Sequence, residues 1–242
     1  SRVFDNDSPT AWNQLTWNPQ APYLKELPDN QGTEVAYNEG NVDMSNNVAL
    51  YHMNSSTATD SSGNNNDGTL NGGVTTVVEG KLGKAMDFDG SDDYIDLGNL
   101  QDGQTTFTWS TWVRSENTVD KTDLYQMPVI IGTVQGSGES DDALLGVDNG
   151  NLAWFSEFGG STSHNTGVTV NDGMFHHVAA VRNGASVKLY VDGNQEASLT
   201  VGSDGLNSNG IEIARANWDD NEFYQGLIDE TAIFSSDLSS ST

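Results

Sequence analysis

From Asn47 onward the chain is a series of short runs in which apolar and polar residues alternate, separated by turn signals. Such runs cover residues 48–53, 106–114, 129–133, 143–148, 151–156, 175–182, 186–192, 211–214 and 227–234. Period-two alternation is the mark of a half-buried β-strand, and no run keeps a helical apolar period beyond two turns. Asx-Gly pairs punctuate the runs, among them Asn149-Gly150, Asn183-Gly184 and Asp192-Gly193. They fit hairpin turns because type I′ geometry needs positive φ at both central residues. The expected fold class is all-β, a two-sheet antiparallel jelly-roll sandwich.

Two runs say more. Over 106–114, Phe107, Trp109, Thr111 and Val113 fall on one face while Thr108, Ser110 and Trp112 fall on the other. Large aromatics on both faces predict a central strand whose second face lines a concavity or lies under a loop. Over 175–182, His177, Ala179 and Val181 share the face of Phe175, and His176 faces the other way, so the two histidines do not form one site. Residues 1–45 have a different texture, with four of the five prolines and little alternation. They read as an N-terminal extension, or the tail of a preceding module, packing on a domain that occupies 46–242.

With 242 residues the chain is long enough to bury a core without staples. Its 35 acidic and 9 basic residues give a formal net charge of −26. That surface repels phosphate backbones and anionic headgroups, so nucleic acid and direct membrane insertion are not expected. The same surplus suggests a halophilic source, since salt would screen the repulsion. The absence of Cys removes disulfides, thiolate metal sites and thiol nucleophiles.

Eight segments in order carry a resemblance: Val48-Ala-Leu-Tyr-His-Met53, Asp60-Ser-Ser-Gly-Asn-Asn-Asn-Asp-Gly-Thr69, Gly80-Lys-Leu-Gly-Lys-Ala-Met-Asp-Phe-Asp-Gly90, Asp92-Asp-Tyr-Ile-Asp-Leu97, Phe107-Thr-Trp-Ser-Thr-Trp-Val113, Asp172-Gly-Met-Phe-His-His-Val-Ala180, Leu189-Tyr-Val-Asp-Gly193 and Gly226-Leu-Ile-Asp-Glu230. Together they resemble the laminin-G-like, concanavalin A-like jelly roll. The resemblance implies a sandwich used mostly as a calcium-dependent module that binds a glycan or a cell-surface protein, here at the cell surface or outside the cell and within a larger multidomain protein; the alternative is a structural spacer in a surface-protein array. The lead-in through residue 44 is similar to that of large prokaryotic surface proteins. The fold also carries laminarinase-type glucanases, whose Glu-x-Asp-x-x-Glu strand sets two carboxylates on one face. The nearest string is Glu139-Ser-Asp-Asp-Ala-Leu144, where Leu144 stands in place of the last acid, so no catalytic residue is expected.

Two candidate sites remain. The 60–67 loop offers oxygen ligands at alternating spacing, as a hard cation requires. In the family this loop lies near the closing strand, so Asp60, Asp67, Asp229 and Glu230 are the expected calcium ligands. Asp92, Asp93, Glu139, Asp141, Asp142 and Asp148 offer a second, rim-type set that chance alone would supply in so acidic a chain. Sugar recognition pairs aromatic faces with planar acids and amides. Trp218, Asp219, Asp220 and Tyr224, joined by Phe158, are the expected ligand contacts.

Overall fold

A computed structural model describes residues 26–31, 44–77, 79–119, 123–135, 142–206, 208–216 and 223–238. In chain order the strands are β1 (Asn47–Tyr51), β2 (Thr69–Asn71), β3 (Thr75–Val77), β4 (Ala85–Asp89), β5 (Tyr94–Asp96), β6 (Thr106–Arg114), β7 (Val129–Gln135), β8 (Ala143–Asp148), β9 (Asn151–Glu157), β10 (Ser161–Thr169), β11 (His176–Asn183), β12 (Ser186–Val191), β13 (Asn194–Thr200), β14 (Ser208–Ile213) and β15 (Gln225–Phe234). One sheet runs β13-β12-β11-β6-β15-β4-β3 with β1 also on β15, and the other runs β10-β9-β8-β7-β14-β5-β2. Every ladder between these strands is antiparallel. The two-sheet sandwich is the architecture the alternation implies.

Turn chemistry sets two of the hairpins. Asn149 and Gly150 (φ 48° and 78°) join β8 to β9, and Asp192 and Gly193 (φ 50° and 81°) join β12 to β13. Positive φ at both central positions matches the right-handed twist of the flanking strands.

The inner faces meet in one core. Trp109 of the larger sheet and Trp154 of the smaller are both fully buried, with ring centroids 6.1 Å apart, and Phe107 stacks on Trp109 at 4.7 Å. A buried indole N–H needs an acceptor. Trp109 Nε1 donates to Gln101 Oε1 at 2.7 Å and Trp154 Nε1 to Ser156 Oγ at 3.0 Å. β6 is central, between β11 and β15, and its outer face carries Ser110, Trp112 and Arg114, with His177 opposite Trp112. Residues 124–127 cover part of the smaller sheet's outer face, where Tyr125 meets Phe155 with ring centroids 6.0 Å apart. Trp154 and Phe155 therefore point to opposite faces and are both buried, one between the sheets and one beneath that turn.

Trp109→Ala removes the largest inner-face side chain of β6 and leaves Gln101 without its donor. An equilibrium urea titration should show a loss of roughly 3–5 kcal/mol; a loss below about 1 kcal/mol would contradict this account of the core.

Candidate functional site

The expected calcium ligands lie in two separate settings. Asp60, 9% exposed, is saturated by its own loop and β1: Oδ1 accepts from the Leu50 and Ser62 amides at 3.0 and 2.8 Å, and Oδ2 from Ser62 Oγ and the Asn66 amide at 2.8 and 2.9 Å. Asp67 Oδ1 accepts from the Asp60 amide at 2.8 Å. This is an Asx-turn network that pins the loop to the first strand. Asp229 and Glu230, both buried, serve the closing strand. Asp229 Oδ2 accepts from the Leu82 amide at 2.8 Å, and burial, with Glu230 nearby, pushes its carboxyl up to about 7. Glu230 Oε2 accepts from the Leu27 amide at 3.3 Å, and Oε1 meets His52 Nδ1 at 2.7 Å. Among the described residues two clusters bring three candidate ligand atoms within 4.8 Å of one another: Glu26 with His52 and Glu230, and Asp89 with Asp92 and Asp93. Asp60, Asp67 and Asp229 belong to neither, so the described side chains do not bring three of the four expected ligands into one cluster.

In the first cluster the acids hold a charged histidine. His52 Nε2 lies 2.8 Å from Asp29 Oδ1, so each ring nitrogen faces a carboxylate. Burial alone would lower the pKa of this ring, but the hydrogen bond and charge of Glu230 and the bond to Asp29 outweigh it and raise the value to about 9.

The expected ligand contacts are also redistributed. Trp218, Asp219 and Asp220 lie outside the described residues, as do most of residues 1–45 and Glu139 and Asp141 of the second acidic set. Phe158 is fully buried with the Arg182 guanidinium 3.4 Å from its ring centre, and Tyr224 is 1% exposed within the core. Neither side chain reaches a rim surface. Their apolar area is worth more between the sheets than in water, and the Gly159-Gly160 turn beside Phe158 lets the chain fold over it.

What the structure opens instead is a cleft of about 960 Å³ on the outer face of the larger sheet, where β3, β4, β15 and β6 end against residues 115–118. Arg114 of β6, Leu227 of β15 and Asp87 of β4 are register partners in one row across the sheet. At the spacing of neighbouring strands, the backbones of Arg114 and Asp87 lie about 10 Å apart, with Leu227 as an apolar floor between them. The next row pairs Gln225 with Asp89. Glu79 stands on one wall, 3.8 Å from Arg114 Nη2, and Glu116 and Asn117 form the other. Burial raises the Asp87 carboxyl, and the charges of Asp93 and Asp89 add to the effect while Arg114 opposes it. The Arg114 guanidinium also lies 5.3 Å from the Phe175 ring. One row along, Trp112 carries Lys81 Nζ at 4.3 Å over its face and His177 at its edge. The cleft thus offers carboxylate acceptors, guanidinium and amide donors, and a small apolar floor.

Residues 89–242 match the family model of the concanavalin A-like lectin/glucanases superfamily. The chain belongs to this superfamily. Solved structures share the superfamily fold at low identity. Domain 4 of AbnA, a GH43 extracellular arabinanase from Geobacillus stearothermophilus solved in complex with arabinotriose, is similar with a TM-score of 0.68 at 23% identity, over 81% of this chain and 95% of that one. The binding domain of Paraclostridial Mosquitocidal Protein 1 gives 0.64 at 20% identity, over 81% of this chain and 50% of that one. A structure of botulinum neurotoxin type C, whose cell entry depends on interaction with two ganglioside molecules, gives 0.60 at 16%, over 81% and 49%. The chain therefore spans nearly all of the arabinanase domain and about half of the toxin chains. No curated protein matches the sequence.

None of the candidate sites expected from the sequence includes the cleft residues. Asp87 and Gly226-Leu227 lay inside resembling segments, and only the register of three strands distant in sequence brings them together.

His52 supplies a pH test. Its folded-state pKa lies above its unfolded value, so the stabilisation is complete below about pH 6.5 and is lost as pH rises through about 9. His52→Gln should cost on the order of 2 kcal/mol at pH 6 and much less at pH 10. Denaturation curves at both values check this; an equal cost at each would exclude the charged pair.

Proposed function

We propose that this chain is a non-catalytic binding domain that recognises a glycan through the outer-face cleft of the larger sheet, and that it acts outside the cell as one module of a larger surface protein. The observation that carries the reading is the row Arg114, Leu227 and Asp87, flanked by Gln225 and Asn117. Planar donors and acceptors can fork vicinal hydroxyls while an apolar floor takes the C–H face of a ring, which is what sugar binding asks of a site. Similarity to a domain solved with arabinotriose and to toxin binding domains supports the class of partner. A binding role without hydrolysis is supported by the chemistry at Leu144, where the glucanase pattern calls for an acid: this chain has a fully buried leucine in the smaller sheet.

A glycan array with the purified domain, followed by calorimetry on the best oligosaccharide, tests the proposal. Asp87→Ala and Gln225→Ala should each weaken binding at least tenfold and leave the thermal midpoint nearly unchanged, since both side chains reach the cleft and neither belongs to the inter-sheet core. An array without binding, or binding that ignores both substitutions, would overturn it.

A further inference from the structure

The charge of the cleft narrows its ligand further, on the reading that the cleft is the sugar site. Among the described residues four carboxylates line it, from Glu79, Asp87, Asp89 and Glu116, and the one basic lining residue, Arg114, is already within 3.8 Å of Glu79. The surplus is three negative charges within one cleft. Lys81, the nearest basic side chain along the same face, is engaged over the Trp112 ring. Clefts of one sign focus their field, and interactions within about one Debye length of 8 Å survive physiological salt. A uronate or other acidic sugar would enter against that field, with Arg114 as its one compensating partner. A protonated amine would enter with it and would lie within reach of acceptors that a neutral hydroxyl uses less strongly, because charge-assisted hydrogen bonds are about twice as strong as neutral ones.

We infer that the cleft selects amine-bearing sugars, preferring a hexosamine over the same sugar with its amine acetylated and rejecting acidic sugars. Asp87 is the specificity-determining residue. It faces Arg114 across the Leu227 floor, it is half-buried where Glu79 is 76% exposed, and its pairing with Leu227 on one side and Thr75 on the other fixes its position from both edges of β4.

Calorimetry with three short oligomers tests the inference: a glucosamine trisaccharide, its fully N-acetylated counterpart, and a trigalacturonate. Short ligands are needed because a chain of net charge −26 holds long polyamines anywhere on its surface. The glucosamine trimer should bind about tenfold tighter than the acetylated one at about 50 mM salt, and this ratio should shrink, as the longer-range part of the field is screened, at about 500 mM. The uronate should not bind. The double variant Asp87→Asn, Glu116→Gln should collapse the preference, while Asp102→Asn with Glu196→Gln, equal in charge but outside the cleft lining, should keep it. Equal affinity for the amine and the acetamide, binding of the uronate, or a preference reduced as much by the control pair as by the cleft pair would overturn the charge selection and leave the glycan reading standing. Failure of all three trimers together with a blank glycan array would overturn the reading itself.

Discussion

Two strands share one edge of β15, and much of the rest follows from that. β6 pairs with β15 from Leu227 to Phe234 along one side, while on the other side β4 pairs with residues 225–228 and β1 with 231–234, end to end. Between them Asp229 and Glu230 face no strand on that edge, and a sheet cannot bury backbone and side-chain polar groups without partners. On the opposite edge the ladder to β6 carries a bulge in which Glu230 adopts φ 49° and Thr111 Oγ1 bonds both the Asp229 carbonyl and Thr231 Oγ1, at 3.1 and 2.8 Å. The acids then work outward. Asp229 collects the loop before β4 through Leu82, and Glu230 collects His52 after β1 and the 26–31 segment through Leu27. One oxygen of Asp229 and both of Glu230 join three stretches of chain to the last strand.

How far the fold was legible follows from where each strand lies. β6, β8, β9, β11, β12 and β15 have at least one face in the core, so their alternation is visible in the residues. β10 and β13, with sequences STSHNTGVT and NQEASLT, are end strands of their sheets and carry little apolar signal; only the ladder to a neighbour makes them strands. The short β2, β3 and β5 are too brief for periodicity to register.

The candidate site was legible as residue types and not as places. An acid-rich loop and an acidic pair near the closing strand predict ligands by composition, but whether a carboxylate is free depends on which amides point at it. For Asp60 two of those amides, of Ser62 and Asn66, are two and six residues away and one belongs to Leu50, a backbone placement no spacing rule encodes. Phe158 shows the converse: beside two glycines it reads as a loop aromatic, yet Arg182, buried and bonded to the carbonyls of Gly184, Gly202 and Asp204, holds a polar roof directly over its ring.

The cleft lies at the far end of β4 from that junction. There the outward Asp87 stands beside Leu227 and two strands from Arg114, and residues 115–118 and Glu79 border the row. The most direct measurement of this account is a backbone amide NMR titration of the isotope-labelled domain with the oligosaccharide that the array ranks first. Shifts concentrated at Asp87, Arg114, Glu116, Asn117 and Leu227, with the smaller sheet unmoved, are the predicted result. Shifts centred on the outer face of the smaller sheet, or on the 60–67 loop, would contradict it.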